Sequence, residues 1–275
     1  MSSSVPATEH PMSTQQTQGP TLTRVTKSET VKLRTLRSHV ALLAAAALFL
    51  LVLGPVQALG QVIAPQGGPP LTDLGAATSV ALNGGVTAAL LLGVLGVLSV
   101  TSEFPSALVR TTFWAVPRRG LVVRGKALAF SGLVLPIVLV GAAVALEVSR
   151  VILGRIGSPL TWAEPGTWWA AVAMSLYAVG WGLLGQALGW ILRSAVGAAF
   201  ALLGLMFVLP MLVALLPQPA ADAVLPLLVS EAGSAMMRVD QGGSGLAPPV
   251  AALVWVGWMV AGLVVATVTV RRRDA

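Results

Sequence analysis

The residues from Gly120 to Ala127, Gly-Leu-Val-Val-Arg-Gly-Lys-Ala, come within one position of a phosphate-binding loop, G-x-x-x-x-G-K-[ST]. Ala127 stands where a hydroxyl would hold Mg²⁺, no strand precedes the run, and a long apolar stretch follows it, so a nucleotide site is rejected here. His10 and His39 are too few and too far apart for a metal centre, and the absence of cysteine removes thiolate ligands, disulfides and a cysteine nucleophile. The carboxylates are scattered singly, and no nucleophile, base and orienting acid share a motif. The sequence therefore predicts no catalytic, cofactor-binding or metal-binding residue, and no enzyme activity of the chain by itself.

The elements that carry these residues are set by composition. Hydrophobic residues make up 56% and charged residues only 10%, where a soluble domain carries about 25% charged residues. The net charge of +7 would suit a nucleic-acid partner if the basic residues formed a stripe, but they cluster beside apolar runs, which excludes that partner class. Crossing the hydrocarbon core takes about 20 apolar residues. Six segments qualify, near Val40 to Leu59, Ala76 to Val100, Ala127 to Leu146, Trp168 to Leu192, Ala195 to Leu216 and Val250 to Val270. Residues 1–22 read as a disordered, polar cytoplasmic tail rather than a secretory signal, and 23–275 as one six-span domain.

Lys and Arg near span ends stay on the cytoplasmic side. With both termini inside, fourteen basic residues fall inside and only Arg150, Arg155 and Arg238 outside. The expected fold is thus an all-α integral membrane bundle of six helices, with an N-terminal interfacial helix and a short cytoplasmic helix between spans two and three. Trp168, Trp169, Trp255 and Trp258 suit an interfacial aromatic belt, although two of them suit burial between helices equally well.

Two cytoplasmic stretches offer working parts. Thr26 and Glu29 have capping-box spacing, which predicts a helix beginning there. Its Val25, Leu33 and Leu36 would lie in the membrane interface while Lys27, Lys32, Arg34 and Arg37 meet anionic headgroups of membrane lipids; plain topological anchoring explains the same pattern. In the long connection Ser102–Lys126, Ser102 can cap a new helix, Glu103 complements its positive end and Pro105 fits its first turn. Val109, Phe113 and Val116 make an apolar face on it, with Arg110 pointing elsewhere and Pro117 ending the run. That helix either docks a cytoplasmic partner or lies on the membrane surface.

Polar residues inside the spans are sparse: Asn83, Thr87, Ser131, Ser175, Tyr177 and Gln186, with Glu147 at an outer end. No ionisable group is expected at mid-span, which argues against an ion-coupled carrier. Gln186 and Asn83 fit interhelical hydrogen bonding better than a substrate path. Gly185 and Gly189 form a GxxxG pair, and Gly93 with Gly96 adds a second small patch; both suit close helix contact, within the chain or across a dimer.

Taken together, these residues resemble the permease subunits of ABC-2 type ATP-binding cassette exporters. The likeness is carried by Lys27-Ser28-Glu29 with Lys32 to Ser38, by Ser102-Glu103-Phe104 with Arg110-Thr111-Thr112 and Ala115 to Arg119, by Lys126-Ala127, and by the terminal Arg271-Arg272-Arg273-Asp274. The chain departs from the family loop at Pro105 and Ala107-Leu108. The resemblance implies a plasma-membrane subunit with both termini cytoplasmic, a second permease, homo- or heteromeric, and a separate cytoplasmic ATPase that binds the ATP and Mg²⁺. It further implies that Glu103, Phe104, Arg110 and Phe113 contact that ATPase. The apolar spans permit lipids, amphiphilic peptides or hydrophobic drugs as cargo. An ATP-independent carrier or channel, and a non-transporting membrane anchor, are the competing readings.

Overall fold

The computed structural model describes residues 21–63, 71, 73–104, 119–239 and 245–273. Among the described residues every regular element is helical, and six helices are long and apolar enough to cross a membrane. Pro105, Val109, Arg110, Phe113, Val116 and Pro117 lie outside the described residues, as do residues 1–20, so the expected loop helix and tail are not among the elements that follow.

Helix α1 (Leu22–Thr35) is capped at Thr21, five residues before the Thr26 cap that the capping box would place. Thr26 sits inside the helix and its hydroxyl donates back to Leu22 O at 2.9 Å, while the Glu29 carboxylate accepts from lysines instead of reaching back to the helix start. The expected interfacial stripe is corrected as well. Val25 and Leu33 are buried against the bundle, and only Leu36 is exposed.

All the spans but the fifth, which ends at Ala214, run longer than hydropathy alone suggests, because residues at their ends continue the helix. The first is α2 (Arg37–Ile63). The second is interrupted: α3 (Leu74–Ala81) is capped by Asp73, which accepts from the N–H groups of Gly75 and Ala76, and a turn at Leu82–Asn83 separates it from α4 (Gly84–Thr101). The third, α5 (Arg119–Leu153), starts eight residues before the expected Ala127. At 1.5 Å per residue its 35 residues reach about 52 Å, well beyond a hydrocarbon core of about 30 Å. Gly120 to Ala127 is thus continuous helix, which is incompatible with a phosphate-binding loop.

The fourth span, α6 (Pro165–Leu192), ends at Arg193, whose left-handed φ of 53° turns the chain sharply into the fifth. There α7 (Ala195–Leu203), capped by Ser194, passes through a π turn at Gly204–Val208 into α8 (Leu209–Ala214). Two short helices follow, α9 (Gln218–Val224) and α10 (Val229–Met236), before the last span α11 (Pro248–Arg273).

Helices α4 and α6 form the centre of the bundle, and α2, α7 and α11 expose most of their apolar surface. The central pair packs backbone to backbone because its facing positions are glycines. A methyl added at Gly96 would strike Gly182 O, and one added at Gly185 would strike Gly93 O. Gly189 packs against Val97 and Val100, so the GxxxG pair acts within the chain. Trp255 is buried and stacks on Tyr177 with ring centroids 5.3 Å apart, whereas Trp168 and Trp169 are exposed.

Candidate functional site

One end of the bundle gathers the start of α2, the end of α4, the start of α5, the end of α6 and the end of α11, and with them most of the basic residues. Lys126 lies there, two turns into α5, with its side chain only 2% exposed. A buried ammonium must be paired and fully hydrogen-bonded. Its three donors reach Glu29 Oε2 at 2.5 Å, Glu103 Oε1 at 2.9 Å and Ser99 O at 2.9 Å.

Lys32, one turn beyond Glu29 on α1, closes the arrangement. Its ammonium donates to Glu29 Oε1 at 2.6 Å and to Glu103 Oε1 at 2.9 Å. Two lysines and two glutamates therefore form a neutral quartet that ties α1, α5 and the segment just past α4 together. Lys32 is thus ion-paired within the protein, while Lys27, Arg34 and Arg37 are exposed on the surface.

The surroundings keep water away from Lys126, Glu29 and Glu103, while Lys32 stays part-exposed at the edge. Val25, Val100, Val122, Val123, Trp190 and Ala266 form a second apolar cluster at this end. Gly125 lets α1 approach, since a methyl there would press on the Val25 side chain. Below the quartet, the buried Gln186 donates to Ser99 Oγ at 3.2 Å, and Ser99 Oγ donates to Gly96 O at 2.7 Å. The polar contacts therefore continue from α5 through α4 to α6.

Two opposing influences act on Glu103. Burial pushes its carboxyl upward, but the Lys126 charge and hydrogen bonds from Lys32 and Lys126 outweigh it and hold the carboxyl below its ordinary value of 4.5. For Lys32, burial pulls the ammonium downward, while hydrogen bonds to Glu29 and Glu103 prevail and raise it above 10.5. Both groups outside the spans are thus held in the charged form.

Phe104 follows Glu103 and packs edge-on to Trp190 of α6, ring centroids 6.0 Å apart. The Arg193 guanidinium sits 5.7 Å over the same ring. Glu103 and Phe104, two of the residues singled out from the sequence, are therefore neighbours of one locked site; Arg110 and Phe113 lie outside the described residues. Among the described residues no group of three His, Cys, Asp or Glu could hold a metal ion. No family model matches the chain, and no curated protein matches it.

Sequence reasoning missed Lys126 and Glu29 as site residues. Lys126 was assigned to a loop end, and Glu29 to a cap. The available signal was a lysine followed without interruption by apolar residues, since an ionisable group leading into a membrane span needs a named partner.

Proposed function

We propose that the chain is the membrane-spanning subunit of an ATP-binding cassette exporter of ABC-2 type. In this reading it sits in the plasma membrane with both termini and the basic end facing the cytoplasm, beside a second permease. A separate ATPase supplies ATP hydrolysis. The observation that carries the proposal is the anchorage of the 105–118 connection at its root: Glu103 is ion-paired to α1 and α5, and Phe104 is packed on α6. A push on that connection would reach three helices at once. A mere tether would need no such anchorage.

The mechanism that follows is alternating access. Closure of the ATPase pair displaces the connection, the quartet transmits the displacement to α1 and α5, and the glycine-lined contact of α4 with α6 carries it along the bundle. Mg²⁺ and ATP belong to the partner's site. Exposed Lys27, Arg34 and Arg37 hold α1 near anionic headgroups during the motion.

Co-purification tests the proposal directly. The full chain is expressed with candidate ATPase subunits and compared with Glu103→Ala and Arg110→Ala. The wild type retaining an ATPase, with the variants losing it or uncoupling its turnover, supports the reading. If no ATPase is retained in mild detergent and transport by vesicles proceeds without ATP, the proposal fails.

A further inference from the structure

At the basic end of the bundle, helices α5 and α11 meet at a glycine. A methyl added at Gly120 would lie 3.2 Å from Arg271 Nη2 and 3.6 Å from Thr267 Cγ2, so the Arg271 guanidinium rests against α5 where that helix has no side chain. Arg124 follows one turn further along α5, and long helical side chains lean over the turn that precedes them. Its reach is therefore over Gly120 too. Two exposed arginines on two membrane-spanning helices converge on one shallow site.

The chain supplies no anion for them among the described residues. The carboxylates described at this end are Glu29 and Glu103, and both are bound by Lys32 and Lys126. Neither Arg124 nor Arg271 has an acidic partner among the described residues. Deeper along the same two helices the surface turns apolar. Leu128, one turn beyond Arg124, is exposed, as are Val264 and Val268 of α11, and Gly132 has open space over it. A negative head above an apolar body matches that order, and a free phosphate would leave the apolar part unused.

We propose that Arg124 and Arg271 hold the phosphate of one anionic phospholipid, whose acyl chains lie along Leu128 and Val264. The planar guanidinium fork matches phosphate oxygens, and basic pockets between spans suit anionic headgroups. A zwitterionic lipid would bring its ammonium toward the exposed Arg272 beside Arg271, so the surrounding charge selects against it. Gly120 is the specificity device, because it lets the Arg271 guanidinium lie flat against α5 instead of standing away from it. The site shares no residue with α1 or with the 105–118 connection, and it stands whether or not an ATPase is the partner.

The test uses the purified full chain in dodecyl maltoside, offered equal amounts of dioleoyl phosphatidylglycerol and dioleoyl phosphatidylcholine, with bound lipid read by native mass spectrometry. The wild type is expected to retain one phosphatidylglycerol in preference to phosphatidylcholine. Arg124→Gln and Arg271→Gln should each lower that retention about fivefold, and the two together by more than about tenfold. Gly120→Leu, which displaces the Arg271 guanidinium without changing net charge, should lower it as well. Arg155→Gln, an exposed arginine at the opposite end, should leave it unchanged. Should Gly120→Leu not fold, the double arginine variant, altered only at exposed side chains, decides alone. Equal retention of the two lipids by the wild type, or retention insensitive to the double variant, overturns the proposal. So does a folded Gly120→Leu that binds as the wild type does, which would mean diffuse surface charge, or release of the lipid by excess inorganic phosphate, which would mean a free-anion site.

Discussion

Replacing Lys126 by methionine keeps the length of the side chain and removes its charge. Three hydrogen bonds vanish, and Glu29 and Glu103, 3% and 6% exposed, are left to share the half-exposed Lys32. Breaking a buried pair by deleting one partner costs about 3 to 5 kcal/mol, because the remaining charge stays desolvated. Lys32 still touches both carboxylates, which sets the expectation for Lys126→Met at the lower end, about 3 kcal/mol. Adding Glu29→Gln and Glu103→Gln removes the stranded charges and should restore stability to within about 1 kcal/mol of the wild type. Reversible unfolding of the purified full chain by SDS titration measures all three states. A single variant within about 0.5 kcal/mol of the wild type, the range of an ordinary surface substitution, would refute the claim that the quartet is a buried lock.

The remaining predictions concern pH and packing. Glu103 has its folded value depressed, so its contribution is present above the unfolded value near 4.5 and is lost as pH falls below it; Lys32 is raised, so its contribution is present below 10.5 and is lost as pH rises past it. Proteolysis within 21–36 should therefore be slow between those two values and accelerate on either side, and the acid limb should disappear in the triple variant. Gly96→Ala should destabilise the bundle by at least about 1 to 3 kcal/mol, since the obstacle is Gly182 backbone, whereas Gly132→Ala, with open space around it, should gain up to about 1 kcal/mol. Thermal unfolding in detergent distinguishes the two. A double-mutant cycle of Phe104→Ala and Trp190→Leu should give a coupling of about 0.5 to 1.5 kcal/mol by SDS titration, from the edge-on ring contact.

The span count was legible because each crossing needs its own apolar run, even where only Arg193 and Ser194 separate two of them. The small residues at Gly93, Gly96, Gly185 and Gly189 were legible as contact positions, but only three-dimensional packing shows that they meet within one chain. The quartet was hidden for a different reason. Its members lie 71 and 97 residues apart, and nothing in local spacing links Glu29 to Lys126. A short-range rule then offered a plausible substitute, a capping box for Glu29. That rule describes an exposed helix end, and it gives way when a buried ammonium competes for the same carboxylate. The break between α3 and α4 was missed because Leu82–Asn83 interrupts hydrogen bonding without interrupting hydropathy.

The distance in sequence between Glu29 and Lys126 also sets an order of assembly. Ribosomes add about 5 to 20 residues per second, so the 97 residues between them represent roughly 5 to 20 s of synthesis. Through that interval two spans are already made while Glu29, and later Glu103, have no buried ammonium to meet. The N-terminal helix is thus translated before every span but is fastened only once the third span has been made. The arrival of α5 is the step that completes the quartet, with the ends of α6 and α11 packing around it later.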